Sequence, residues 1–149
     1  MSAKYKIGDS RVIESREAAD GMTIRRRRES LDGKYRFTTY ERIERPNLAV
    51  IKKDSSRELF DRDKLATAIK RSVGKFFTSE LEIEEMINNV EDRLYSLNET
   101  EVTSRQIGDL VLDELAGLNE VAYVRFASVY HEFKTLDEFE EILKQRRKV

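Results

Sequence analysis

Apolar residues follow two different rhythms along this chain. From residue 61 onward they recur at helical spacing: Leu65, Ile69, Val73 and Phe76; then Ile83, Met86, Ile87, Val90 and Leu94; then Ile107, Leu110, Val111, Leu115 and Leu118; then Val121, Val124, Ala127 or Ser128, and Phe133. Such spacing puts one apolar stripe along each of four amphipathic helices, and the stripes predict a shared core. Residues with capping chemistry stand at the helix starts. Asp61 caps the first, Ser79 with Glu82 and Thr103 with Gln106 form capping boxes, and Asn119 opens the fourth. Thr135 with Glu138 opens a short last helix that runs into the basic KQRRK tail.

Ahead of residue 48 the rhythm is that of strands. RVIES, then GMTIRRRR opened by Gly21, then YRFTTYERI after the Asp32-Gly33 turn signal read as a small antiparallel β module. In the last of these, Tyr35, Phe37 and Thr39 fit one face, and Arg36, Thr38 and Tyr40 the other. Pro46, the only proline, marks the boundary, because the residue before a proline is driven to extended geometry. After it, LAVIKK and RELF flank Asp54-Ser55-Ser56 as a short hairpin. The predicted class is α+β: an N-terminal antiparallel β ribbon (1–47), a mainly helical domain with an N-terminal β-hairpin (48–138), and a basic C-terminal tail (139–149).

Composition changes this picture in two ways. The 149 residues carry 28 basic and 29 acidic side chains, a net charge of −1, but residues 1–48 hold 12 basic and 8 acidic and the remainder 16 and 21. A basic front half is joined to an acidic back half. There are no cysteines and one histidine, His131, which excludes disulfides, a cysteine nucleophile and the usual zinc ligand sets. No apolar run is long enough to span a bilayer and MSAKYKIGDS lacks a signal-type apolar stretch, so the chain is expected to be cytoplasmic, without a membrane partner. No phosphate loop, nucleophile elbow or metal-binding helix motif is present, and the acidic pairs Asp61/Asp63 and Glu84/Glu85 read as caps or solvated faces. No catalytic residue and no enzyme activity are expected.

The candidate chemistry is that of binding. Arg25, Arg26, Arg27 and Arg28, with Lys34, Arg36, Thr38, Tyr40 and Arg42, set guanidinium forks and hydroxyls on a compact β module. Those forks match phosphates and guanine edges, the competing reading being a strand kept soluble by charge. Lys52 and Lys53 on the hairpin and Lys64 in the next helix converge near a helix N-terminus, which suits a polyphosphate, although a plain charged surface has the same spacing. Tyr123, Phe126 or Ala127, and Tyr130 can share a helix face that stacks on a base or, more commonly, packs in a core or an oligomer interface. His131 beside them reads as structural.

The strings DSRVIESRE, IRRRRES, YRFTTYERIE, FDRDKL, SRQIGDLVLDEL and VAYVRFASVYHEF resemble, almost end to end, the NrdR family of bacterial repressors of ribonucleotide reductase genes. The resemblance implies a zinc ribbon that binds double-stranded DNA boxes upstream of reductase operons. It also implies an ATP-cone domain whose allosteric ligand, ATP or dATP, sets the state of a homo-oligomer and its DNA affinity. Residue by residue, it assigns Arg25, Arg26, Arg27, Arg28, Arg36, Thr38 and Tyr40 to DNA. To the nucleotide it assigns Val50, Lys52, Lys53, Glu58 and Lys64, with Tyr123 and Tyr130 as base or second-nucleotide contacts. The expected function is a nucleotide-responsive repressor, associated with the nucleoid when on DNA.

This chain departs from the family pattern at the zinc ligands. Where the family has four cysteines it has Ala3, Lys6, Ser30 and Gly33, none of them a usual ligand, so no metal is expected. Structural zinc is worth about 10–16 kcal/mol in small finger peptides, and its loss raises the alternative of a nucleotide-sensing oligomerisation module with an impaired DNA arm. Ser55 replaces a usual glycine in the hairpin turn, and Leu59 stands where proline is frequent.

Overall fold

Two Asp-Gly turns shape the N-terminal unit, Met1–Arg45. The structure, a computed structural model, describes residues 5–147. Strands β1 (Ser10–Glu17), β2 (Thr23–Ser30) and β3 (Arg36–Arg42) form an antiparallel sheet in the order β1-β2-β3. Gly21 and Gly33 take positive φ of 71° and 74°, the left-handed geometry that these tight reversals need and that glycine adopts without steric cost. The β2–β3 register sets Arg25 opposite Tyr40, Arg26 opposite Thr39, Arg27 opposite Thr38 and Arg28 opposite Phe37. A register shift lies between Val12 and Glu14 on β1. Among the described residues of this unit only Ala18, Thr23 and Ser30 are buried, so the ladder and polar contacts hold it rather than an apolar core.

The second unit, Pro46–Val149, is built differently. It runs β4 (Ala49–Ile51), β5 (Arg57–Leu59), α1 (Arg62–Val73), α2 (Glu80–Ser96), β6 (Glu101–Thr103), α3 (Ser104–Leu118), α4 (Glu120–His131) and α5 (Leu136–Arg147). The molecule is thus α+β. Asp61 accepts from the Asp63 and Lys64 amides, Asn119 from those of Val121 and Ala122, and Thr103 and Gln106 cap each other reciprocally. The Ser79 cap is only half a box: Ser79 accepts from the Glu82 amide, but the Glu82 carboxylate reaches one residue further back, to the Thr78 amide.

β6 is absent from the sequence reading. It pairs parallel with β4, Val50 opposite Val102, so the hairpin supplies two strands of a three-stranded sheet in the order β5-β4-β6, with β4 in the centre. Three residues ending in a helix cap are too few to show an alternation, and their partner lies some fifty positions earlier. The core gathers Ile69 and Val73 from α1, Ile83, Met86, Ile87, Val90 and Leu94 from α2, Val111, Leu112 and Leu115 from α3, and Leu48, Val50 and Val102 around the sheet.

Two expectations about faces are corrected. α4 turns Ala122, Phe126 and Ala127 inward, leaving Val121 exposed along with Leu118 at the end of α3. The paired alanines allow a closer approach than valines would. Glu84 is not on a solvated face: it is buried, and so is Glu91, and both carboxylates pair with the guanidinium of Arg62, the first residue of α1.

Tyr130 of α4 lies over Gly108 of α3. A Cβ built on Gly108 would overlap the Tyr130 ring, whose hydroxyl donates to the Arg105 carbonyl at 2.8 Å. Overpacking of this kind typically costs about 1–3 kcal/mol. Gly108→Ala is therefore expected to lower the unfolding free energy by that amount, read as a lower urea midpoint and followed by circular dichroism since the chain has no tryptophan; an unchanged midpoint would show that the Tyr130 ring moves aside freely.

Candidate functional site

A cleft of 280 Å³ opens where the hairpin meets the starts of α1 and α3. Val50, Phe60, Leu65 and Ile107 form its apolar lining, and Glu58, Asp61, Lys64 and Ser104 its polar one, with Leu59 beside them. Glu58 is the hub of its charge. Its carboxylate accepts from Lys64 Nζ at 2.9 and 3.1 Å and lies 3.8 Å from Lys52 Nζ. The Lys64 bond and then the Lys52 charge hold the Glu58 carboxyl below its ordinary value, so it stays ionised and both lysines keep a partner. An apolar floor with two ammonium groups at the rim suits a ligand that is part flat and apolar, part anionic. The helix start contributes less than expected, because the Asp61 carboxylate already accepts from the Asp63 and Lys64 amides.

The remaining residues assigned to the nucleotide lie apart from this cleft. Lys53 Nζ sits 5.8 Å from the centroid of the Tyr130 ring, at the outer range of a cation–π contact. That ring also stacks on Phe126 at 6.1 Å, and burial, followed by the Asp109 charge, raises its phenol pKa above the ordinary value. Tyr123 is half-buried and packs against the core. Val50, Lys52, Glu58 and Lys64 thus come together, Lys53 and Tyr130 pair separately, and neither tyrosine lines the cleft. Sequence reasoning missed Phe60, Ser104 and Ile107. The Thr103–Gln106 box marks where α3 starts, but only the parallel β4–β6 pairing brings that start to the hairpin.

In the ribbon the four consecutive arginines divide by strand alternation. Arg25 and Arg27 share a face with Arg36, Thr38 and Tyr40, and Arg11, Arg16 and Arg42 join them there. On that face Glu29 pairs with Arg11 and Arg36, which hold its carboxyl below 4.5, and Arg27 Nη1 donates to Thr38 Oγ1 at 3.0 Å. Arg42 lies 4.9 Å from the Tyr40 ring centroid. Arg26 and Arg28 occupy the opposite face with Phe37 and Thr39. There Arg28 spans the sheet, Nη1 donating to Ser10 Oγ on β1 at 3.1 Å and Nε to Thr39 Oγ1 on β3 at 3.2 Å.

Residues 48–136 match the ATP cone domain, and residues 6–41 match the transcriptional repressor NrdR-like N-terminal domain. The chain belongs to the NrdR family. Transcriptional repressor NrdR of Streptococcus sanguinis is 53% identical over 136 residues, which cover 91% of this chain and 87% of that protein. The same repressor of Streptococcus gordonii is also 53% identical over 136 residues, and that of Streptococcus pneumoniae strain Hungary19A-6 is 52% identical, with the same shares of each chain covered. These relatives are repressors of transcription, not enzymes. No helix among the described residues is long and apolar enough to cross a membrane.

Against the NrdR pattern, the positions where cysteines would hold zinc do not fit the metal. Lys6 offers a cation, Gly33 no side chain, and the Ser30 hydroxyl is engaged as donor to Asp32 Oδ1 at 2.6 Å and as acceptor from the Tyr35 amide at 3.0 Å. Ala3, which carries a methyl group only, lies outside the described residues. The turn depends on a carboxylate instead. Bonds from Ser30 and then the Lys34 amide hold Asp32 below its ordinary 3.8. A carboxyl with a lowered folded pKa adds stability above its unfolded value and loses it as pH falls through the folded one. The Gly33 and Tyr35 amides are accordingly expected to be protected near neutrality and to lose protection below about pH 4, measured by hydrogen exchange corrected for intrinsic rates; protection that grows on acidification would contradict this.

Proposed function

We propose that this chain is a nucleotide-responsive repressor that binds promoter boxes of ribonucleotide reductase operons in the bacterial cytoplasm. ATP or dATP seated in the β4–α1–α3 cleft controls its oligomeric state and its affinity for DNA. In this reading the ribbon, residues 1–47, reads DNA and residues 48–138 sense the nucleotide. The observation that carries it is the Lys52–Glu58–Lys64 cluster beside Val50, Phe60 and Ile107. In the resting cleft the one Glu58 carboxylate is shared by the two lysines, so the three groups together keep one positive charge. A triphosphate competes for them with more oxygens and more charge, and the apolar lining takes the base. Such a ligand can regulate only by binding one assembly more tightly than the other.

On the ribbon, Arg25 and Arg27 with Arg36, Thr38 and Tyr40 are the proposed contacts to duplex DNA. Arg25 has no partner among the described residues, which leaves its fork available to a phosphate. A second reading, a nucleotide-sensing oligomerisation module with an impaired DNA arm, draws support from the ribbon's small buried set of Ala18, Thr23 and Ser30.

Lys52→Ala and Lys64→Ala are each expected to weaken ATP and dATP binding by about tenfold or more, the worth of one charge-assisted bond, measured by calorimetry, whereas Glu58→Gln preserves or tightens it. Arg25→Ala and Arg27→Ala should each lower duplex affinity and reduce the salt slope by about one. Promoter-box affinity that is equal with dATP, with ATP and without nucleotide would refute the regulatory claim, and absence of salt-dependent DNA binding would select the second reading.

A further inference from the structure

We propose that the ribbon of this chain is metal-independent, with hydrogen bonds and ring contacts taking the place of the zinc that bridges its two turns in the family pattern. Zinc in a ribbon must do two things: close each turn, and tie the first turn to the second. Both tasks fall here to residues of the ribbon itself.

The second turn closes on itself. The Ser30 amide donates to the Tyr35 carbonyl and the Gly33 amide to the Ser30 carbonyl, each at 2.8 Å. Inside that loop the buried Ser30 hydroxyl and the Asp32 carboxylate form a polar knot that also takes the Tyr35 and Lys34 amides. The first turn runs on from the Lys6 ligand position as a short 3-10 segment, Ile7–Asp9, closed by the Asp9 amide on the Lys6 carbonyl at 3.2 Å. Ser10 Oγ donates to the Ile7 carbonyl at 2.7 Å and in turn receives Arg28 Nη1.

The tie between the turns has two components. The Leu31 amide donates to the Asp9 carbonyl at 2.9 Å, joining the second turn directly to the first. Tyr5, adjacent to the Lys6 ligand position, sets its ring edge-on to Tyr35 at 6.1 Å and tilted against Phe37 at 5.6 Å. Aromatic pairs in these arrangements add stability beyond the area that they bury. The N-terminal segment is thereby clasped to β3 by rings at the place where a metal would otherwise make the link. A cation would meet the Lys6 ammonium there and find no thiolate. The inference concerns the ribbon alone and stands whether or not the chain binds DNA.

The test uses the full chain expressed in zinc-supplemented medium. Elemental analysis is expected to give well under one zinc per chain, and hydrogen exchange to give equal protection of β1, β2 and β3 amides in excess chelator and in added zinc. Tyr5→Ala and Ser30→Ala should each reduce that protection about tenfold or more, without rescue by zinc and without change in α2 and α3. One zinc per chain, loss of β1–β3 protection in chelator, or no protection in either condition would overturn the proposal. So would variants whose ribbon protection matches that of the parent chain.

Discussion

A single guanidinium, that of Arg62, holds two buried carboxylates two helical turns apart on α2, Glu84 and Glu91. Stripping either acid of this partner would leave a charge in the interior, which typically costs about 3–5 kcal/mol. The first residue of α1 therefore has one place to sit. Asp61 and Lys64 follow from it, because one caps the helix and the other projects from its first turn. Lys64 then meets Glu58 on the hairpin, and the hairpin is aligned on β6 by the parallel pairing with β4. The geometry of the cleft hangs on this fork more than on any group inside it.

The helices were legible because their information is local. Asp61, Thr103 and Asn119 announce their own caps, and the stripe of α2 from Ile83 to Leu94 is buried as its period requires. The features that escaped are decided by partners far along the chain. β6 depends on a strand some fifty residues away, and the burial of Glu84 on Arg62. Within the site, Lys52, Glu58 and Lys64 lie close in sequence and could be grouped through the family resemblance. Ser104 and Ile107 could not. The division of the arginines was within reach: the alternation applied to Tyr35, Phe37 and Thr39 also separates Arg25 and Arg27 from Arg26 and Arg28 once their strand is placed opposite.

The two units reach stability by different routes. The second buries a continuous apolar core between four helices and a small sheet. The ribbon has too few apolar residues for that, and its arginines are structural as well as basic. Arg28 laces β1 to β3 across the central strand, while Glu29 gathers Arg11 and Arg36 from its two neighbours. Charge serves cohesion on both faces: Arg28 on one, and Glu29 with Arg11 and Arg36 on the face that also carries Arg25 and Arg27. Ser55, at a φ of 70° in the hairpin turn, shows the same tolerance of an imperfect local choice: the Asp54 carboxylate takes the Ser56 amide at 2.9 Å and holds a turn that glycine would enter more readily.

The parallel pairing of β4 with β6 also bears on when the cleft comes into being. One wall is made by the hairpin and α1, and the other by Ser104 and Ile107, separated from it in sequence by the whole of α2. A chain emerging from the ribosome has the hairpin and its lysines early, but no enclosed space beside them until α2 has folded and β6 has docked. The proposed ligand would thus find its site only in the finished domain.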